Sequence, residues 1–185
     1  VITIENNTFS ADQQLTPMGL YAVVEFRAIE NGSINFAANQ VSGYVNIGLL
    51  SSASKAISVV GNTFTPAATA ENFASIMANT KMMTTGVQGN TYSDEISLIG
   101  NTFNAGATDK GSAIVFADHF GVNTPAFNAI TIGGATTVEK NVFASQILKY
   151  IVLDNQIGNS QSFPLWATYA QTTMRPFATN LEALV

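Results

Sequence analysis

Apolar and polar residues alternate over short stretches of this chain, and one such stretch recurs. It runs apolar strand, then Asn, one further residue and a large apolar residue. The clearest copies are Ile-Thr-Ile-Glu-Asn-Asn-Thr-Phe at 2–9, Ile-Ser-Val-Val-Gly-Asn-Thr-Phe at 57–64 and Ile-Ser-Leu-Ile-Gly-Asn-Thr-Phe at 96–103. Looser copies occupy 34–41, 138–143 and 152–157. In the copy at 57–64, alternation at period two places Ile57 and Val59 on one face of a strand. Gly61-Asn62 then breaks it, because both residues tolerate left-handed backbone angles. The bend lets Phe64 point back to the same interior. One such unit cannot bury its own apolar face, but stacked copies can, so the repeat predicts a solenoid.

The aligned residues are Asn7, Asn39, Asn62, Asn101, Asn141 and Asn155. The step from Asn39 to Asn62 is about one solenoid coil. The longer steps to Asn101 and Asn141 are either one coil with an excursion or two coils with a degenerate phrase between them. Asn155 follows Asn141 too closely for a coil, so one of the two belongs to another corner. Ile130-Thr131-Ile132-Gly133-Gly134 competes for the phrase there, and Gly89-Asn90-Thr91-Tyr92 is a similar competitor before Asn101. The register at both places stays open.

A second strand family falls between the phrases, at 21–26, 44–50, 113–116 and 164–169. These are fuller apolar runs, as expected of strands paired on both sides in a parallel stack. The polar stretches 104–111 and 121–126 read as loops leaving the coil. In 71–83, Phe73, Ile76, Met77 and Thr80 have helical spacing, but 73–77 also reads as a strand. The strand is preferred, since it follows Asn62 much as 113–116 follows Asn101.

The phrases at 57–64 and 96–103, with 2–9 beside them, resemble those of the right-handed parallel β-helix family, which includes pectate lyases, tailspikes and many bacterial surface proteins. The resemblance implies an all-β, single-stranded solenoid of about five to seven coils with loop excursions. It also implies a ladder of stacked amides at one corner, with Asn7, Asn39, Asn62 and Asn101 as rungs. The expected solenoid covers 1–174, and 175–185 departs from the repeat as a cap or the start of a further module. The chain opens inside a strand, at Val1-Ile2-Thr3-Ile4, and reads as a mature or excised piece.

Composition sharpens this picture. Charged residues are only 10% of the 185, against 46% hydrophobic, and the net charge is −5. About a quarter of an ordinary globular chain is charged. Here Asn, Thr, Ser and Ala fill the surface, a profile suited to an extracellular or cell-surface protein. No basic stripe exists for nucleic acid, and no apolar run approaches the roughly twenty residues that span a membrane. There are no cysteines and one histidine, which argues against zinc.

Enzymes of the resembling family act on polysaccharides along a lateral groove and need clustered titratable groups. The best cluster joins Glu25 and Arg27 with Asp118 and His119, at the ends of strands following the Asn phrases, with Glu71 and Lys81 near the intervening coil. The stronger reading is that Glu25 and Arg27 make an ordinary exposed ion pair and that Asp118-His119 is a polar turn. A Ca²⁺ site can be drawn from Asp12, Asp94, Glu95, Asp109 or Asp154, but no calcium-loop motif accompanies them, and no cofactor is expected. Phe9, Phe64, Phe103 and Phe143 fall at phrase positions and read as core. Trp166, Tyr169, Tyr21, Tyr44 and Tyr92 are freer to stack on sugars. The expectation is a structural or adhesive surface module whose partners are glycans or neighbouring subunits, self-association included. A polysaccharide lyase or hydrolase and a phage tailspike segment are the alternatives.

Overall fold

In a computed structural model, alternation at period two becomes fifteen short strands among the described residues. The structure describes residues 1–11, 22–26, 32–43, 47–51, 56–67, 74–79, 95–106, 111–117 and 129–154. Three strands make one coil. The first coil holds β1 (Ile2–Glu5), β2 (Thr8–Ala11) and β3 (Ala22–Phe26); the second holds β4 (Ser33–Ala37), β5 (Gln40–Gly43) and β6 (Ile47–Ser51). The third holds β7 (Ala56–Val60), β8 (Thr63–Pro66) and β9 (Ala74–Asn79); the fourth holds β10 (Glu95–Ile99), β11 (Thr102–Phe103) and β12 (Ser112–Ala117). The fifth holds β13 (Ala129–Ile132), β14 (Val142–Phe143) and β15 (Lys149–Asp154).

Corresponding strands of successive coils pair in parallel and build three five-stranded sheets. Sheet A is β1-β4-β7-β10-β13, sheet B is β2-β5-β8-β11-β14, and sheet C is β3-β6-β9-β12-β15. The chain is a parallel β-helix solenoid. The phrase supplies sheets A and B with the turn between them, and the fuller apolar runs supply sheet C. Because β7 pairs directly with β10, and β10 with β13, each long step between Asn residues is a single coil with an excursion. The segment at 74–79 is a strand of sheet C, not a helix. The run at 164–169 lies outside the described residues.

The fifth coil corrects the looser copies of the phrase. No strand precedes Asn141 directly: the sheet A strand is Ala129–Ile132, with Ile132 in register with Leu98. Residues 133–138 are then inserted. The chain rejoins the coil at Glu139, whose carbonyl accepts from the Gly100 N–H as the Ile99 carbonyl accepts from Gly61. Residues Lys149–Asp154 form a sheet C strand rather than the start of another phrase. Both competing phrases thus held part of the answer: 130–132 is the strand, and Asn141 is the corner.

Register stacks like on like in the core. Ile34, Ile57 and Ile96 are successive partners on sheet A and are all buried, as are Phe36, Val59 and Leu98. On sheet B, Phe64 stacks on Phe103 with ring centroids 5.4 Å apart, Phe103 on Phe143 at 5.0 Å, and Phe143 on Tyr150 of sheet C at 4.9 Å. The rings are within 12° of parallel, a geometry set by the coil repeat. In sheet C consecutive residues are buried, including Ser112 through Phe116 of β12, so both strand faces are covered.

Candidate functional site

The corner between sheets A and B is built from the Asn column. Asn7 donates its backbone N–H (2.9 Å) and its Nδ2 (3.2 Å) to Oδ1 of Asn39. Asn39 donates to Asn62 in the same way at 2.8 and 3.2 Å. Asn62 donates to Asn101 at 3.0 and 3.1 Å, and Asn101 to Asn141 at 2.9 and 3.1 Å. The second Nδ2 proton reaches a strand carbonyl of the preceding coil: Ile4 from Asn39, Phe36 from Asn62, Val59 from Asn101 and Leu98 from Asn141. The inner rungs Asn39, Asn62 and Asn101 are no more than 1% exposed, yet each amide group is saturated. That is the condition under which buried polar groups hold a structure rather than weaken it.

The residue before each rung sets the bend. Asn6, Ala38, Gly61 and Gly100 have φ of 59°, 52°, 64° and 66°. The fifth coil avoids the demand, since Lys140 is extended at φ −72° and the bend falls in the insertion, with Gly133 at φ 71°. The insertion closes on itself: Thr136 donates its backbone N–H (2.9 Å) and hydroxyl (2.8 Å) to the Glu139 carboxylate. The Thr136 backbone bond, then its hydroxyl, hold the Glu139 carboxyl below its ordinary pKa.

The outward positions form in-register polar rows. On sheet A the row is Thr3, Asn35, Ser58, Ser97 and Thr131, each the ladder partner of the next. On sheet B it is Thr8, Gln40, Thr63 and Thr102, ending on the apolar Val142, with Ser10, Ser42 and Thr65 in a parallel row. All of these are exposed or half-buried. Strand spacing repeats the groups every ~4.8 Å along the axis. The rows themselves carry no charge. Glu5 flanks the sheet A row and accepts a 2.8 Å hydrogen bond from Asn35, and Asn104 donates to Thr65 at 2.9 Å across neighbouring coils.

The proposed titratable cluster is described in one member only. Glu25 is exposed on β3. Its ladder column runs through Leu50 and Met77 to Val115 of β12. The strands expected to carry the cluster therefore share sheet C but stand three strand spacings apart, roughly 14 Å. Arg27, Asp118 and His119 lie outside the described residues, as do Glu71, Lys81, Trp166, Tyr169, Tyr21, Tyr44 and Tyr92. Among the described residues no three His, Cys, Asp or Glu side chains gather, and no helix is long and apolar enough to cross a membrane. Of the calcium candidates, Glu95 is exposed at the start of β10, and Asp12, Asp94 and Asp109 lie outside the described residues. A cavity of about 10 Å³ between sheets B and C, lined by Val41, Ser42, Phe64, Thr65 and Ser75 among others, has room for about one water. Sequence reasoning missed Lys149, 1% exposed at the start of β15 and in register with Ser112. Its looser surroundings in the chain carry no signal of burial.

The chain matches no family model, no curated protein and no solved structure.

Proposed function

We propose that this chain is an extracellular structural and adhesive module, a rigid solenoid that presents uncharged polar faces to glycans or to neighbouring surface subunits. The supporting observation is the in-register rows of hydroxyl and amide groups on sheets A and B, including Thr3, Asn35, Ser58, Ser97 and Thr131. A flat face repeating one hydrogen-bonding group per coil suits a partner that is itself repetitive and uncharged. The fold by itself does not set the activity, so the faces carry this reading.

Binding and turnover should be measured together on cellulose, chitin, xylan and pectin, with and without Ca²⁺. The expected result is retention on at least one neutral polymer without release of reducing ends or unsaturated products. Ser58→Lys or Thr63→Lys, placing a charge in a row, should weaken retention at least tenfold while the fold is kept. Product formation on any polymer would overturn the reading in favour of an enzyme, and no binding to any of them would remove the glycan partner.

A further inference from the structure

Gly48, Ser75, Ala113 and Tyr150 hold one register position along sheet C. In the fifth coil the Tyr150 ring takes that position and stacks on Phe143. In the second and third coils Gly48 and Ser75 are too small to do so, and the cavity of about 10 Å³ lies beside them and Phe64. No side chain can fill it from Gly48. A Cβ there would stand 2.6 Å from the Ser75 carbonyl oxygen and 3.2 Å from Cδ1 of Phe64. Ser75 lines the cavity and is 3% exposed. No described residue hydrogen-bonds its hydroxyl, and a buried hydroxyl left in that condition costs stability. Across the cavity, Ser42 and Thr65 bring polar groups from two paired strands of sheet B. Thr65 Oγ1 accepts from Asn104 at 2.9 Å, which leaves its own proton to donate.

We propose that this cavity is a built site for one water molecule, which bridges the Ser75 hydroxyl of sheet C to the Ser42 and Thr65 hydroxyls of sheet B. The volume fits one water and nothing larger, and three partners is the usual number for a buried water. Val41 and Phe64 close the apolar side. The bridge ties the second and third coils together at the corner between sheets B and C. The Asn ladder does the same work at the corner between sheets A and B.

The test is oxygen-17 relaxation dispersion of the solvent around the 185-residue chain, with Ser75→Ala and Ser75→Val as variants. The method counts waters held longer than the molecule takes to tumble, and hydroxyl-proton exchange does not enter it. The wild type should hold one more such water than either variant. Ser75→Ala removes a partner, and Ser75→Val also fills the space. Ser75→Ala should melt ~2–4 °C below the wild type, because Ser42 and Thr65 lose the bridge with it. Should Ser75→Val fail to fold, as circular dichroism would show, Ser75→Ala carries the test alone. An unchanged water count in Ser75→Ala overturns the bridge. So does Ser75→Ala melting above the wild type, the result for a dry cavity in which the serine hydroxyl is only a burden.

Discussion

At the residue scale, four turn positions carry one backbone demand and meet it with three side chains. Ala38 holds φ 52° at a site where glycine costs nothing sterically. A left-handed L-residue costs roughly 1–2 kcal/mol, and glycine's extra freedom in the unfolded chain returns part of it. Ala38→Gly should therefore stabilise by about 0.5–1 kcal/mol in urea unfolding. At Gly61 an added Cβ meets no atom within 4 Å, whereas at Gly100 it meets the Val138 carbonyl at 2.6 Å. Gly61→Ala should thus cost about 0.5–1 kcal/mol and Gly100→Ala on the order of 2–3 kcal/mol. Equal losses would mean that the insertion does not press on this corner. The rungs differ in the same graded way. Asn62→Ala strands buried donors on Asn39 and the Phe36 carbonyl, and should cost about 2–4 kcal/mol. Asn7→Ala, at the exposed end, should cost less than about 1 kcal/mol. Gly-Asn and Asn-Asn dipeptides made most of this corner legible in the sequence. Ala38 was not legible as a bend, because alanine has no left-handed preference to announce it.

At the element scale, three strands per coil follow from two patterns: a half-buried alternating strand with its aromatic tail, and a fully apolar run. Both were readable because burial on one face or two leaves different periodicities. The fifth coil was not readable, since residues 133–138 separate strand from corner and put Val138, 83% exposed, where a strand apolar residue was expected. The insertion also relieves Lys140 of the left-handed bend. Deleting residues 133–138 should restore the standard corner, Ile132 joined to Glu139, only if Lys140→Gly accompanies it. The double change should melt near the parent, and the deletion alone should lose a further ~1–2 kcal/mol because lysine must then bend. If the two variants melt alike, Lys140 is not the counterpart of Gly100 and the register of the fifth coil is wrong.

At the scale of the whole molecule, each coil touches mainly its neighbours, so stability is a sum of coils and joints. The amide ladder crosses every joint between the described coils, and the Phe64-Phe103-Phe143 stack crosses the joints of the third to the fifth. The outward polar rows were less legible than the fold, for a physical reason: uncharged hydroxyl rows bear no spacing motif, unlike a metal or nucleophile site. Thr8, Thr63 and Thr102 looked in the sequence like parts of the folding phrase, and only register shows them as one surface. A continuous, saturated amide ladder runs through the five described coils. Backbone hydrogen exchange in dilute solution tests it residue by residue. The Asn39, Asn62 and Asn101 amides should exchange only with global unfolding, all at one rate, because each is held to the Oδ1 of the next rung. Fast or unequal exchange at the three inner rungs would contradict the ladder and the solenoid built on it.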